Sequence, residues 1–331
     1  MSDSFYIKDF VDMKFANKQN IDHEKIADEF MRKVQAEMDD LRFEHLLMIA
    51  GFIPDLYQSD SSEETLFSKL IECLVAEWAR RMGFQAKIVK QKASYEDITI
   101  TIDNRAVVCD AKSFRLGRSQ AAPNAKDFLK LEDIRKWRSR YKESWGGLVT
   151  YPCRHEWTKG SDIYQYCSSN DAPTVMLPYK YLAYLLHYKS TYSVLDLKKM
   201  WDYKRIFPAK LKKNMRGGNK KPYWDKINAE IIDITNTSIA DLETYMNAAD
   251  AFITQCVSEN VSALKNVRQE VVDKITNEIY QENDICKLKD RLLSYVVNNE
   301  TKEIDKMLSR IVKFRKGLAP SRTKRKKRTK K

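Results

Sequence analysis

"RAVVCDAKSFRLGRSQ", residues 105–120, sets four small apolar residues directly against an aspartate and a lysine one alanine apart. A short apolar run of this kind reads as a buried strand, and the side chains of a strand alternate between its two faces. Val107, Cys109 and Ala111 therefore point one way, and Val108, Asp110 and Lys112 the other. Two opposite charges share one face at the strand's end, where a site can open.

The flanking sequence supplies neighbours for that strand. "QAKIVK" (85–90) and "DITITI" (97–102) are short β-branched runs, and "TIDNRA" (101–106) has the composition of a hairpin turn. Asp97 begins the strand next to the one ending in Asp110, so two carboxylates converge from adjacent strands. Such a pair suits a hard, oxygen-seeking cation such as Mg²⁺. A lysine two residues on reaches a phosphate, and metal, carboxylates and ammonium together are what phosphodiester hydrolysis needs. The spacing alone is equally that of an ordinary surface ion pair.

Working outward, "IDHEKIADEFMRKVQAEMDD" (21–40) carries Ile26, Phe30, Val34 and Met38 on one helical stripe. "SSEETLFSKLIECLVAEWARRMG" (61–83) opens on a capping-box pattern, Ser61 with Glu64, and stops at Gly83. A further helix is expected within 125–141, strands at "GGLVTYP" (146–152) and "TVMLPY" (174–179), and a helix at "YKYLAYLLHY" (179–188). Trp137, Trp145, Trp157 and the tyrosines of 141–188 read as core. The whole is an α/β core, a central mixed sheet flanked by helices. From about 226 to 316 the apolar spacing is helical almost throughout, which adds a C-terminal helical region. The basic, glycine-containing segment "PAKLKKNMRGGNKKPYW" (208–224) reads as a loop able to wrap DNA.

Composition bounds the function. The chain has 331 residues, 43% hydrophobic and 11% aromatic, enough for a sizeable core. Nothing approaches the apolar length of a membrane span, and "MSDSFYIKDF" has acids where a signal peptide is basic, so a soluble cytoplasmic protein is expected. Six scattered cysteines without a CxxC pair, and four dispersed histidines, speak against a zinc ribbon or a disulfide framework. Of the net charge of +13, eight charges sit in the last ten residues, "RTKRKKRTKK", and +5 remains for the body. The tail is expected to be disordered and suits a polyanion, a nuclear address or simple solubility.

The Asp97…Asp110-x-Lys112 pattern resembles the PD-(D/E)xK nuclease motif. "SSEETLFSK" (61–69), "DAKSFRL" (110–116) and "KDF" (126–128), with "IAGFIPD" (49–55) before them and "YKYLAYLLHY" and "LKKMWDY" (197–203) after, resemble the HindIII family of type II restriction endonucleases. The resemblance spans about residues 45 to 205. It implies that Asp97, Asp110, Lys112 and Asp127 are catalytic, and that Asp97, Asp110 and the Ala111 carbonyl hold Mg²⁺, with Mn²⁺ as substitute. Glu72 and Glu77 on the preceding helix, and Glu96 on the face opposite Asp97, are accessory acids to consider. Arg115, Arg118, Lys126 and Lys130, with Lys90 and Lys92 on the rim, are candidates for DNA contact, phosphate first and guanine second.

The implied protein is a Mg²⁺-dependent type II enzyme cutting double-stranded DNA at a short palindromic site. It leaves 5′-phosphate and 3′-hydroxyl ends, acts as a homodimer, and pairs with a methyltransferase that protects host DNA. It is expected in the cytoplasm of a bacterial cell or encoded by a virus. The implied divisions are an N-terminal helical segment (1–60), the nuclease core (61–225), a helical subdomain for DNA wrapping or dimerisation (226–318) and a basic tail (319–331). Rival readings are a structure-specific repair or recombination nuclease of the same fold, a non-catalytic DNA-binding protein, and an interaction protein built on the C-terminal helices.

Overall fold

The computed structural model describes residues 5–16, 21–90, 94–116, 128–152, 172–206, 221–280 and 286–315. At its centre is a hairpin of β3 (Ile98–Ile102) and β4 (Arg105–Ala111), antiparallel, with Ile98 opposite Cys109 and Ile102 opposite Arg105. Asp103 and Asn104 turn the chain at φ +50° and +60°, the left-handed pair that a two-residue hairpin requires and that Asp and Asn tolerate. β2 (Gln85–Ile88) pairs antiparallel with β3, two residues shorter than expected at its end.

On its other side β4 runs parallel to β6 (Ser144–Tyr151), and β6 parallel to β7 (Thr174–Pro178). The sheet order is β2-β3-β4-β6-β7, mixed as expected. Central parallel strands are covered on both faces, which is why β4, β6 and β7 read as nearly continuous apolar runs. A two-stranded ladder of β1 (Phe52–Ile53) and β5 (Phe114–Arg115) lies beyond the end of β4, with the Phe114 N–H donating to the Gly51 carbonyl at 2.7 Å.

Helices cover the sheet. α1 (Tyr6–Ala16), α2 (His23–Glu37) and α3 (Asp40–Met48) precede it. Ile26, Phe30 and Val34 of α2 are buried as the stripe predicts. The chain then breaks at Met38, and the Asp39 carboxylate caps α3 by accepting the Arg42 N–H at 2.8 Å. Neither α1 nor α3 is signalled by the periodicity.

α4 (Ser62–Arg81) begins where Ser61 Oγ accepts the Glu64 N–H at 3.2 Å. The reciprocal bond of the capping box lands one residue earlier, with Glu64 Oε2 accepting the Asp60 N–H at 2.7 Å. At its end Gly83 takes φ +84°, the Gly83 N–H donates to Arg80 O at 2.8 Å and the Phe84 N–H to Ala79 O at 2.9 Å. These are the paired bonds of a Schellman stop. α4 packs on the face of β3 and β4 that carries Ile100, Ile102 and Val107, where Trp78 donates its indole N–H to Leu182 O at 2.8 Å. α5 (Leu131–Arg138) covers the opposite face, with Ile134 against Gly147.

α6 (Tyr179–His187), a 3₁₀ segment (Val194–Trp201), α7 (Tyr203–Ile206), α8 (Lys221–Thr235), α9 (Ile239–Tyr280) and α10 (Cys286–Arg315) follow. The indole N–H of Trp137 donates to Ser94 O and that of Trp145 to Ile102 O; Trp157 lies outside the described residues. So do the segment 207–220, which holds most of the expected basic loop, and the basic tail from 316 onward. No helix among the described residues is long and apolar enough to cross a membrane.

The chain divides into two compact units, Met1–Phe114 with Ala122–Ile253, and Arg115–Ala121 with Thr254–Lys331. The first unit takes in residues 1–60 together with the sheet and runs to 253, whereas the sequence places the start of a helical subdomain at 226. Tyr245 and Phe252 account for the later boundary, through a Tyr245 hydroxyl 3.3 Å from Glu44 and a His45–Phe252 stack at 4.7 Å. In the second unit α10 runs back along α9, with Arg268 Nε 2.9 Å from Asp305 and the Tyr280 hydroxyl 2.8 Å from Asp290.

Glu44 is a buried acid of the first unit, facing His187 Nδ1 at 3.0 Å and Tyr245. Burial raises its pKa above the ordinary 4.5, and the attraction of His187 only partly offsets this. The folded protein thus holds this proton more tightly than the unfolded chain. Stability from this group is complete below pH 4.5 and falls as pH climbs through the folded pKa. Thermal melts of Glu44→Gln across that interval are expected to show a flatter decline of Tm than wild type; parallel curves would refute the assignment.

Candidate active site at the end of strand β4

The β3–β4 pairing ends with Ile98 opposite Cys109, and Asp97 immediately precedes it, beside the Cys109–Ala111 end of β4. Asp97 is fixed through three bonds. Its N–H donates to Cys109 O at 3.0 Å, its carbonyl accepts the Val89 N–H at 2.9 Å, and its Oδ2 accepts the Ala111 N–H at 2.9 Å. Lys112 turns back so that Nζ stands 2.6 Å from Asp110 Oδ2, with the two side chains 22% and 10% exposed. The opposite charges at the strand's end are therefore a mostly buried pair. Burial by itself lowers the pKa of Lys112, yet the net shift is upward, because Asp110, then Asp97 and Asp133, favour the ammonium.

Glu72, on α4, is 4% exposed, and its charge acts on Cys109 and Tyr179 together with those of Asp97 and Asp110. Glu77, five residues further and equally buried, is tied up elsewhere: it accepts from Arg81 Nε at 3.0 Å and Gln35 Nε2 at 2.8 Å. The carboxylate of Glu96 is held by Thr99 Oγ1 at 3.0 Å and the Tyr141 hydroxyl, with Arg140 at 3.6 Å. Thr99 registers with Val108, on the α5-covered side, so the Glu96 carboxylate is held on that side by Thr99 and Tyr141. Strand alternation begins only at Ile98, and Glu96 precedes it.

Arg115 lies in β5, half-buried, and Lys130 is exposed at the N-cap of α5. Lys90 is exposed beyond β2 with its ammonium 3.7 Å from Glu24. Asp127, Arg118, Lys126 and Lys92 lie outside the described residues. Asp133, in the first turn of α5 and one residue before the buried Ile134, is an acid the sequence did not single out; its charge acts on Lys112.

Cys109, between these acids, is fully buried, and burial, then Asp97, Asp110 and Glu72, hold its thiol well above the ordinary range. Cys73 is likewise pushed up to about 12 by burial. In folded protein at neutral pH neither thiol is expected to react with an alkylating reagent, whereas both react after denaturation. Mass spectrometry of labelled peptides reads this out, and rapid labelling of Cys109 in the native chain would contradict the packing described.

The donors here are hard oxygens: two carboxylates and the Ala111 carbonyl. Among the described residues no group of three or more His, Cys, Asp or Glu stands close enough together to hold a metal ion unaided. A cation that keeps much of its water, as Mg²⁺ does, fits such a sparse oxygen set, and a soft metal does not.

The profile of the HindIII restriction endonuclease family matches residues 8–292. The chain belongs to the HindIII restriction endonuclease family. The type II restriction enzyme HindIII of Haemophilus influenzae (strain ATCC 51907 / DSM 11121 / KW20 / Rd) is 22% identical over 248 residues, covering 72% of this chain and 80% of that protein. The HindIII-family match takes in α4, the β3–β4 hairpin, α5 and α6, so every element around Asp110 lies within it.

Proposed function

We propose that this HindIII-family protein is a type II restriction endonuclease with a PD-(D/E)xK site, making Mg²⁺-dependent, sequence-specific double-strand cuts in DNA. The observation carrying the reading is that the end of β4 brings together Asp97, bonded to the Ala111 N–H, and the Lys112–Asp110 pair. Family membership supports it independently.

Asp97, Asp110 and the Ala111 carbonyl would hold the cation, with Mn²⁺ as substitute, and Glu72 and Asp127 are the further acids assigned to the reaction. When bound, Mg²⁺ supplies Lewis-acid polarisation of the scissile phosphate. Lys112 donates hydrogen bonds from its ammonium to a phosphate oxygen and stabilises the charge that builds there. Asp97, locked to the Ala111 N–H, keeps the two strand ends in register as the phosphate approaches. In the reaction a water oxygen bonds to phosphorus, the bond to the 3′ oxygen breaks and that oxygen takes a proton, giving 5′-phosphate and 3′-hydroxyl ends.

Arg115, Arg118, Lys126 and Lys130, with Lys90 and Lys92, contact the backbone and set register. A symmetric homodimer reads a palindromic site, each subunit cutting one strand. The protein acts in the cytoplasm beside a methyltransferase that protects host DNA.

The test is digestion of a long unmethylated DNA of known sequence, with Mg²⁺ and with chelator. Discrete Mg²⁺-dependent fragments are expected, and end mapping gives the site and the polarity. A smear would assign a nuclease without sequence readout; cutting confined to branched substrates, a repair enzyme. Salt-dependent binding with no cleavage would assign a DNA-binding protein.

A further inference from the structure

β4 ends at Ala111, so Lys112 belongs to a segment leaving the ladder, where a long flexible side chain is ordinarily free to wander. Three bonds hold that segment instead. The Lys112 N–H donates to Thr150 O at 2.8 Å, the Lys112 carbonyl accepts the Tyr179 hydroxyl at 2.8 Å, and the Phe114 N–H donates to Gly51 O at 2.7 Å. Tyr179 is fully buried at the first position of α6, behind Pro178, whose φ of −58° sets the direction in which the helix starts. Gly51 takes φ +80°, and a Cβ there would stand 2.9 Å from Lys112 O, 2.8 Å from Tyr179 Cε2 and 2.7 Å from Pro152 Cγ. Only a glycine lets the three chain segments close around the Lys112 peptide.

We propose that Tyr179 is a positioning residue for Lys112: its hydroxyl, donated to the Lys112 carbonyl across a gap that Gly51 keeps open, fixes the peptide from which the ammonium reaches Asp110. This rests on the reading of Lys112 as catalytic and names what holds it in place. Tyr179 acts through the Lys112 peptide. It contributes by denying the lysine other orientations, the kind of constraint whose loss by an ångström costs up to a hundredfold in rate.

Tyr179→Phe removes one buried hydroxyl and leaves the ring. Tyr184, on the same helix and equally buried, bonds instead to Thr237 at 2.6 Å, and Tyr184→Phe is the matched control. The experiment compares wild type, both variants and Lys112→Ala as full-length chains. It measures the single-turnover cleavage rate on saturating DNA, DNA affinity in chelator, and hydrogen exchange of the Lys112 and Phe114 amides in metal-free protein.

For Tyr179→Phe, cleavage is expected to fall about tenfold to a hundredfold with affinity unchanged within about twofold. Faster exchange is expected at the Lys112 and Phe114 amides alone, and Tyr184→Phe should cut at the wild-type rate. Wild-type cleavage by Tyr179→Phe, equal losses in the two variants, or faster exchange throughout the sheet would each overturn the proposal. If Lys112→Ala is inactive while Tyr179→Phe is fully active, only the tyrosine's role falls. If Lys112→Ala cuts normally, the reading of the site falls first.

Discussion

Lys112→Ala is expected to lower cleavage by roughly 10²–10³-fold while leaving DNA binding within a few-fold of wild type. The split follows from where the ammonium sits. It is largely buried against Asp110 at 2.6 Å, unlike the exposed Lys90 and Lys130, so it adds little to the diffuse attraction that brings DNA in. In the proposed reaction its effect is on charge that appears only as the phosphate reacts, and groups of that kind move the rate more than the affinity. Lys112→Arg is expected to rescue poorly, because a planar fork does not occupy the place of a compact ammonium. Gel shifts in chelator and single-turnover assays in Mg²⁺ separate the two quantities. A variant that binds weakly yet cuts bound DNA at the wild-type rate would reassign Lys112 to DNA capture.

Gly146→Ala is expected to destabilise the sheet-bearing unit by about 3 kcal/mol, the upper part of the range for an overpacked core position. A Cβ at 146 would lie 2.2 Å from Pro173 O and 2.4 Å from Trp201 Cδ1. Neither neighbour has room to yield. Pro173 O accepts the Gly147 N–H at 2.8 Å beside β7, and the Trp201 indole is held by its own bond to Gly147 O at 2.8 Å. Relief therefore demands that β6 and β7 separate or that Trp201 leaves its site. At about 2–4 °C per kcal/mol for a unit of this size, Tm should drop by about 6–12 °C. A melt within 1 °C of wild type would mean that the strands separate at little cost.

The centre of the fold was legible because local chemistry and long-range pairing agree there. β-branched alternation marks β3 and β4, Asp103 and Asn104 mark the turn, and Ser61 and Gly83 bracket α4. The bond between Asp97 and the Ala111 N–H follows from that hairpin, whereas Lys112, one residue beyond β4, is held by Thr150 and Tyr179 from later in the chain. Legibility ends where tertiary partners decide. Periodicity puts Glu72 and Glu77 in the same buried helix, and only Arg81 and Gln35, distant or sideways in sequence, separate their surroundings. Glu96 was named, but its partners Thr99, Tyr141 and Arg140 could not be read because alternation does not extend past the first strand residue. Tyr179 looked like one more aromatic of an apolar helix, and Glu44 like one more acid, until His187 and Tyr245 came up against it from far along the chain.

The bonds around Lys112 also set a timetable. Asp97 and the Ala111 N–H are 14 residues apart and meet within a hairpin that forms without help from later sequence. The Lys112 carbonyl waits for Tyr179, 67 residues on, which leaves the ribosome only after β6 and β7 have been made. A chain caught midway through synthesis therefore holds both partners of the Asp97–Ala111 bond but not the hydroxyl that fixes the Lys112 carbonyl.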